Sequence, residues 1–172
     1  MEAIHKVKYQ GDLGLVRPLT SLLIEHLPVI VPSPRGGEAG APCREALQGE
    51  REGDDRDVII PVPLHPSRLR QRGFNQSALL AQEMSRMLCV PVDLFSLRKI
   101  RATPPQVGLT MKERTKNVKG TFHVINGDHV KGKKVLLVDD VFTTGATISE
   151  CARALRKAGA TSVDVLTLAR TS

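Results

Sequence analysis

Cysteine is scarce and scattered in this 172-residue chain, which has only Cys43, Cys89 and Cys151. With no CxxC pair among them, neither a zinc-ribbon spacing nor a disulfide framework is available, and ordinary reduced thiols are expected. Tryptophan is absent and aromatics make up 3% of residues, so there is little material for a platform of rings on which successive bases stack. The core must instead be built from Leu, Val, Ile and Ala, as in sheets covered by helices on both faces. No stretch approaches the roughly twenty apolar residues of a membrane span. Met1 to Gln10 alternates charged and apolar residues rather than forming a signal peptide, so a cytoplasmic protein is expected. Acidic residues are in the minority, and the formal net charge of +7 points to phosphate-bearing partners. Charge alone does not choose between a small polyphosphate, a nucleic acid and an anionic surface.

The length fits a single domain over residues 1–172. Leucines at helical spacing predict a helix within Gly11–Leu27, and the Pro-, Gly- and charge-rich segment 32–57 reads as a mobile insertion loop. Val58–Val62 predicts a buried strand, Pro63–Gly73 a basic turn, and Asn75–Leu88 a helix. Asn75 would cap that helix, with Leu80, Met84, Met87 and Leu88 on one face. A short strand is expected near Val92–Phe95, then a long exposed flap over Arg98–Lys119. Strands follow at Thr121–Ile125, Val135–Asp139 and Val163–Leu168. A helix over Thr147–Ala158, with Thr147 and Glu150 matching a capping box and Gly159 as its stop, lies between the last two strands. Strand, helix, strand implies a parallel crossover and an α/β fold.

The chemistry concentrates at the end of Val135–Asp139. Two adjacent carboxylates, Asp139 and Asp140, precede Thr143, Thr144, Gly145, Ala146 and Thr147, which lead into the helix. Ligands of open α/β sheets sit beyond the carboxyl ends of strands. A glycine- and hydroxyl-bearing loop at a helix N-terminus offers N–H and O–H donors to a phosphate. The carboxylates accept hydrogen bonds from vicinal hydroxyls such as a ribose supplies. VDDVFTTGAT resembles the phosphoribosyl pyrophosphate motif of type I phosphoribosyltransferases. Directly after the first strand, Arg68, Arg70 and Arg72 can clamp a pyrophosphate. Lys99 and Arg101 belong to the flap, which a closing hood would need to be polar. No aromatic residue is obviously placed to stack an acceptor base, Phe142 beside the loop being the candidate.

Together, the segments PVPLHPSRLRQRGFNQS, TPPQVGLTMKERTKNVKGTF and VLLVDDVFTTGAT closely resemble the ComF family, over almost the whole chain except Pro32–Asp57. The resemblance implies a type I phosphoribosyltransferase-like fold, a mainly parallel twisted sheet flanked by helices with a flexible basic hood. It also implies a competence setting, the handling of incoming single-stranded DNA. Many members begin with a four-cysteine zinc ribbon. This sequence enters at the segment after it, so zinc binding does not carry over. The implied ligand is phosphoribosyl pyrophosphate with Mg²⁺, the metal held through the pyrophosphate near Asp139 and Asp140 rather than by a dedicated protein cage. Thr143–Thr147 would hold the 5-phosphate, Asp139 and Asp140 the ribose hydroxyls, and Arg72 with Arg68 or Arg70 the pyrophosphate. Two alternatives stand beside this, a non-catalytic single-stranded DNA-binding competence factor and a nucleobase-salvage phosphoribosyltransferase.

Overall fold

The computed structural model describes residues 56–104 and 110–170. The helix expected in Gly11–Leu27 and all of the expected loop before Arg56 lie outside the described residues. Three parallel strands form the main sheet in the order β1-β4-β5, where β1 is Val58–Pro61, β4 is Lys134–Phe142 and β5 is Ser162–Arg170. A second, two-stranded antiparallel sheet pairs β2, Leu97–Lys99, with β3, Phe122–Val124. Four α-helices accompany them among the described residues, α1 Pro66–Arg72, α2 Gln76–Leu88, α3 Met111–Val118 and α4 Ala146–Lys157.

The unbroken apolar run of β4 is explained by burial on both faces. Successive side chains of a strand point to opposite sides, and two separate clusters result. Val58, Ile60, Val135 and Leu137 pack with Ile148, Cys151, Ala154 and Leu155 of α4. Ile59, Leu136 and Val138 pack with Leu80, Ala81, Met84 and Leu88 of α2. The sheet thus carries α2 on one face and α4 on the other.

Several local expectations need correction. Met87 is 40% exposed, because the buried stripe of α2 runs toward Ser77 and Ala81 and leaves Met87 on its rim. The basic turn is a short helix, α1: Pro66 suits a first helical position, and His65 caps it by accepting the Ser67 N–H at Nδ1, 3.3 Å. The strand near Val92–Phe95 shrinks to one bridge, Ile59 to Val92. There the Asp93 carboxylate turns back to accept the N–H groups of Phe95 and Ser96, both at 2.9 Å, and ends the pairing. The exposed flap contains β2 and α3, the latter started by a capping box between Thr110 and Glu113 and anchored by the buried Val118. At the end of the expected loop, Asp57 is docked on β4, its N–H on the Lys134 carbonyl and its carboxylate on the Lys134 N–H.

Candidate functional site

The strand carrying the two carboxylates does not end at them. β4 runs on to Phe142, since the nine-residue β5 keeps pairing with it, Asp139 opposite Thr167 and Phe142 opposite Arg170. β1 stops earlier: its last pair is Pro61 with Val138, followed by one hydrogen bond from Val62 N–H to the Val138 carbonyl. Past that point β1 leads by way of α1 to α2, which packs on one face, while β4 leads to α4 on the other. Neighbouring parallel strands whose connections diverge in this way open a crevice at their carboxyl ends. Asp139 and Asp140 stand in it.

Asp139 is fixed from two sides, its Oδ1 accepting the Ser77 hydroxyl of α2 at 3.0 Å and the Asp140 N–H at 2.9 Å. Burial, and then the adjacent charge of Asp140, push its carboxyl up to about 7. Beneath it the Cys151 thiol is pushed upward by burial and by the Asp139 charge, which makes it an inert core group. Lys99 reaches the same neighbourhood from β2. Its Nζ donates to Thr103 Oγ1 at 2.9 Å and sits 5.4 Å from the centre of the Phe122 ring. Burial lowers its pKa, and the Arg68 charge lowers it further.

The loop after β4 turns on Gly145, which caps α4 with φ of 72°. A Cβ there would also lie 2.9 Å from the Phe142 ring, so both conformation and space call for glycine. Phe142 itself is half-buried and packed against the α4-side core, a scaffold for the loop. Thr143 is exposed, Thr144 and Thr147 are half-buried and Ala146 is buried. Thr147 and Glu150 form no capping box. The positive-φ glycine already starts the helix, and the Glu150 carboxylate accepts the Gly120 N–H at 2.6 Å and Arg153 at 2.6 and 2.9 Å.

The four helices divide by how they begin. His65 caps α1 and Thr110 caps α3, whereas α2 and α4 have no side-chain cap. Asn75, expected to cap α2, donates instead to the Val62 carbonyl at 3.0 Å. At each uncapped start lies a buried polar atom with no hydrogen-bond partner, Gln76 Nε2 at α2 and Thr144 Oγ1 at α4. Unpaired buried donors are rare and ask for an explanation. Both lie on segments that adjoin the carboxylate pair, since Ser77, next to Gln76, donates to Asp139, and Thr144 follows shortly after Asp140 in the chain.

The remaining predicted residues are spread around this centre. Arg68 and Arg70 are exposed on α1, Arg68 donating to Gln71 at 3.1 Å. Arg72 is half-buried and donates to Gln76 Oε1 at 3.1 Å. Arg101 is turned to the root of the flap, on the Lys119 carbonyl at 2.8 Å. Sequence reasoning missed Gln76 and Ser77, although both follow directly on the RGFN segment and precede the apolar stripe of α2.

Residues 75–172 match the family model described as phosphoribosyl transferase domain. Competence protein F of Haemophilus influenzae is 40% identical over 115 residues, covering 66% of this chain and 50% of that protein. DNA utilization protein YhgH of Escherichia coli K12 is 42% identical over 115 residues, covering 67% and 50%. The chain is a ComF-family member of the phosphoribosyl transferase domain proteins. This ComF chain spans about half the length of the curated relatives it matches. Its fold is that of the phosphoribosyltransferases: Bacillus subtilis glutamine phosphoribosylpyrophosphate amidotransferase superposes with a TM-score of 0.52 at 21% identity, over 89% of this chain and 26% of that one. No helix among the described residues of the ComF chain is long and apolar enough to cross a membrane.

Proposed function

We propose that the crevice binds 5-phosphoribosyl 1-pyrophosphate, as part of a ComF-type role in DNA uptake. The observation that carries this reading is the pair of uncapped helix starts, each with an orphaned buried donor, on the two segments that adjoin the adjacent carboxylates. A ligand with an anionic group at each end and hydroxyls between matches that order of donors and acceptors. Gly145, Thr144 and Thr147 at α4 take the 5-phosphate, Asp139 and Asp140 the ribose hydroxyls, and Arg72 with Arg68 the pyrophosphate. Lys99 adds positive charge beside Arg68.

Mg²⁺ fits the donor set as a companion of the ligand. Two neighbouring carboxylates, one of them pushed toward its protonated form by burial and then by the charge of the other, gain from a cation nearby. Among the described residues no group of three or more His, Cys, Asp or Glu gathers to hold a metal by itself. Bound with the ligand, the ion would neutralise pyrophosphate charge. The chain's own part in a transfer is to bind and orient both anionic ends, so that cations face the departing pyrophosphate.

Calorimetric titration of phosphoribosyl pyrophosphate with Mg²⁺ tests the site. Asp139→Ala/Asp140→Ala is expected to bind at least about tenfold more weakly than the unaltered chain, the loss of one or two hydrogen bonds to charged acceptors. Equal affinities would overturn the assignment. Pyrophosphate release in the presence of a panel of nucleobases would add catalysis to binding.

A second reading, a single-stranded DNA-binding surface, is favoured by the outward face of the small sheet. Arg98 and His123 stand opposite each other there, both exposed, flanked by the exposed Ile100 and Ile125. The Arg98 guanidinium covers the Phe95 ring at 5.6 Å, and that ring is 66% exposed.

A further inference from the structure

Gln76 opens α2 with its side chain 4% exposed. Its two ends have different fates: Oε1 accepts from Arg72 Nη1 at 3.1 Å, while Nε2 is buried with no partner. The Arg72 bond fixes which end is which, because a guanidinium can only donate. Amide geometry then places the Nε2 donor beside a guanidinium that is also only a donor. Neither can satisfy the other, and what completes the pair is an atom that only accepts. No neighbouring group among the described residues supplies one, since Nε2 has no hydrogen-bond partner, and the donors beside it are already spent, the Asn75 amide on the Val62 carbonyl and the Ser77 hydroxyl on Asp139. Leaving an amide N–H₂ buried and unpaired is costly to the fold, and the uncapped N-terminus of the thirteen-residue α2 adds backbone N–H groups of the same character.

We propose that Gln76 is an oxyanion-binding residue, its carbonyl end holding the Arg72 guanidinium and its amide end donating to the same anionic ligand oxygen. This deepens the site reading above and rests on it for the identity of the ligand as a pyrophosphate. It predicts that Gln76 does more than orient Arg72, since a residue acting only through Arg72 needs an acceptor and no donor.

The test titrates the full chain with two probes, inorganic pyrophosphate with Mg²⁺ for the α1–α2 end and ribose 5-phosphate for the α4 end. Gln76→Leu, apolar and of similar size, is expected to weaken pyrophosphate binding about tenfold or more while leaving ribose 5-phosphate within about twofold. Gln76→Glu keeps the acceptor for Arg72 but replaces the donor by a charged acceptor that repels the anion, and it is also expected to bind pyrophosphate at least about tenfold more weakly. Ribose 5-phosphate affinity certifies that each variant is folded. Wild-type pyrophosphate affinity in Gln76→Glu would reduce Gln76 to a positioning residue and overturn the proposal. Unchanged affinity in Gln76→Leu, or no pyrophosphate binding by the unaltered chain, would overturn it as well. Failure of the broader reading looks different, as loss of ribose 5-phosphate binding by the unaltered chain.

Discussion

At the scale of single residues, Asp139 answers two opposed demands. Burial and the charge of Asp140 favour its protonated form, while the Ser77 hydroxyl and the Asp140 N–H favour the carboxylate. The first pair wins and the folded pKa is about 7, against about 3.9 in an unfolded chain. Between those values the folded chain retains a proton that the unfolded chain has released, so the free energy of unfolding falls as pH rises through about 4 to 7 and is level on either side. Asp139→Asn, which keeps an acceptor for Ser77 and removes the charge, is expected to exceed the unaltered chain in stability at pH 8 by on the order of 2–4 kcal/mol. Near pH 4 the two should converge. Urea midpoints measured across that range check this, and parallel profiles would contradict the account. The ionised aspartate is thus carried at a cost to the fold. Its place toward the carboxyl end of the central strand, just before the loop that leads into α4, was legible from the order of residues around it. Its strand setting was not, since how far β4 continues depends on the length of β5.

At the scale of elements, Glu150 joins α4 to the turn between α3 and β3. Its carboxylate holds the Gly120 N–H and Arg153, and Arg153 lowers its pKa. The turn in turn holds the flap: Lys119 accepts Arg101, and Asn117 donates to the Pro104 carbonyl at 3.2 Å. A chain of hydrogen bonds thus runs from the flap root to α4, the helix that follows the Thr143–Gly145 loop. Glu150→Gln should loosen it, with a stability loss of about 1–2 kcal/mol and faster hydrogen exchange at the Gly120 amide than at amides in the middle of α4. Uniform acceleration along α4 would mean that Glu150 supports the helix alone. The sequence pattern misassigned this residue for a physical reason. Thr147-x-x-Glu150 and Thr110-x-x-Glu113 match the capping signature equally well, and only the second caps. What separates them is a positive-φ glycine that has already begun α4, leaving Glu150 free for a partner thirty residues away in sequence.

At the scale of the whole molecule, the excess of Lys and Arg is felt beyond the crevice. The segments Leu97–Arg101 and Lys119–Ile125 contain no acidic residue, so the outward face of the small sheet adds to the positive field around the site. If single strands of DNA bind there, affinity for an oligo-dT should fall steeply between about 50 and 200 mM salt, and Arg98→Ala should flatten the slope by about one. Binding indifferent to salt would remove that reading. The parallel sheet and its two covering helices were legible in the apolar runs and stripes, whereas the crevice was not. It requires knowing that β1 and β4 are neighbours and that their helices leave to opposite faces, a relation between segments more than seventy residues apart.

The short helix α1 gives the two ends of the crevice unequal ties to the fold. None of its seven residues is buried, so Arg68 and Arg70 can be exchanged, lost or regained without touching the core. The other end is bound to the fold through Gly145, where any side chain would collide with Phe142. Substitution at the arginine end can therefore proceed in single steps without disturbing the packing, while the loop at α4 admits no side chain at Gly145 unless Phe142 moves.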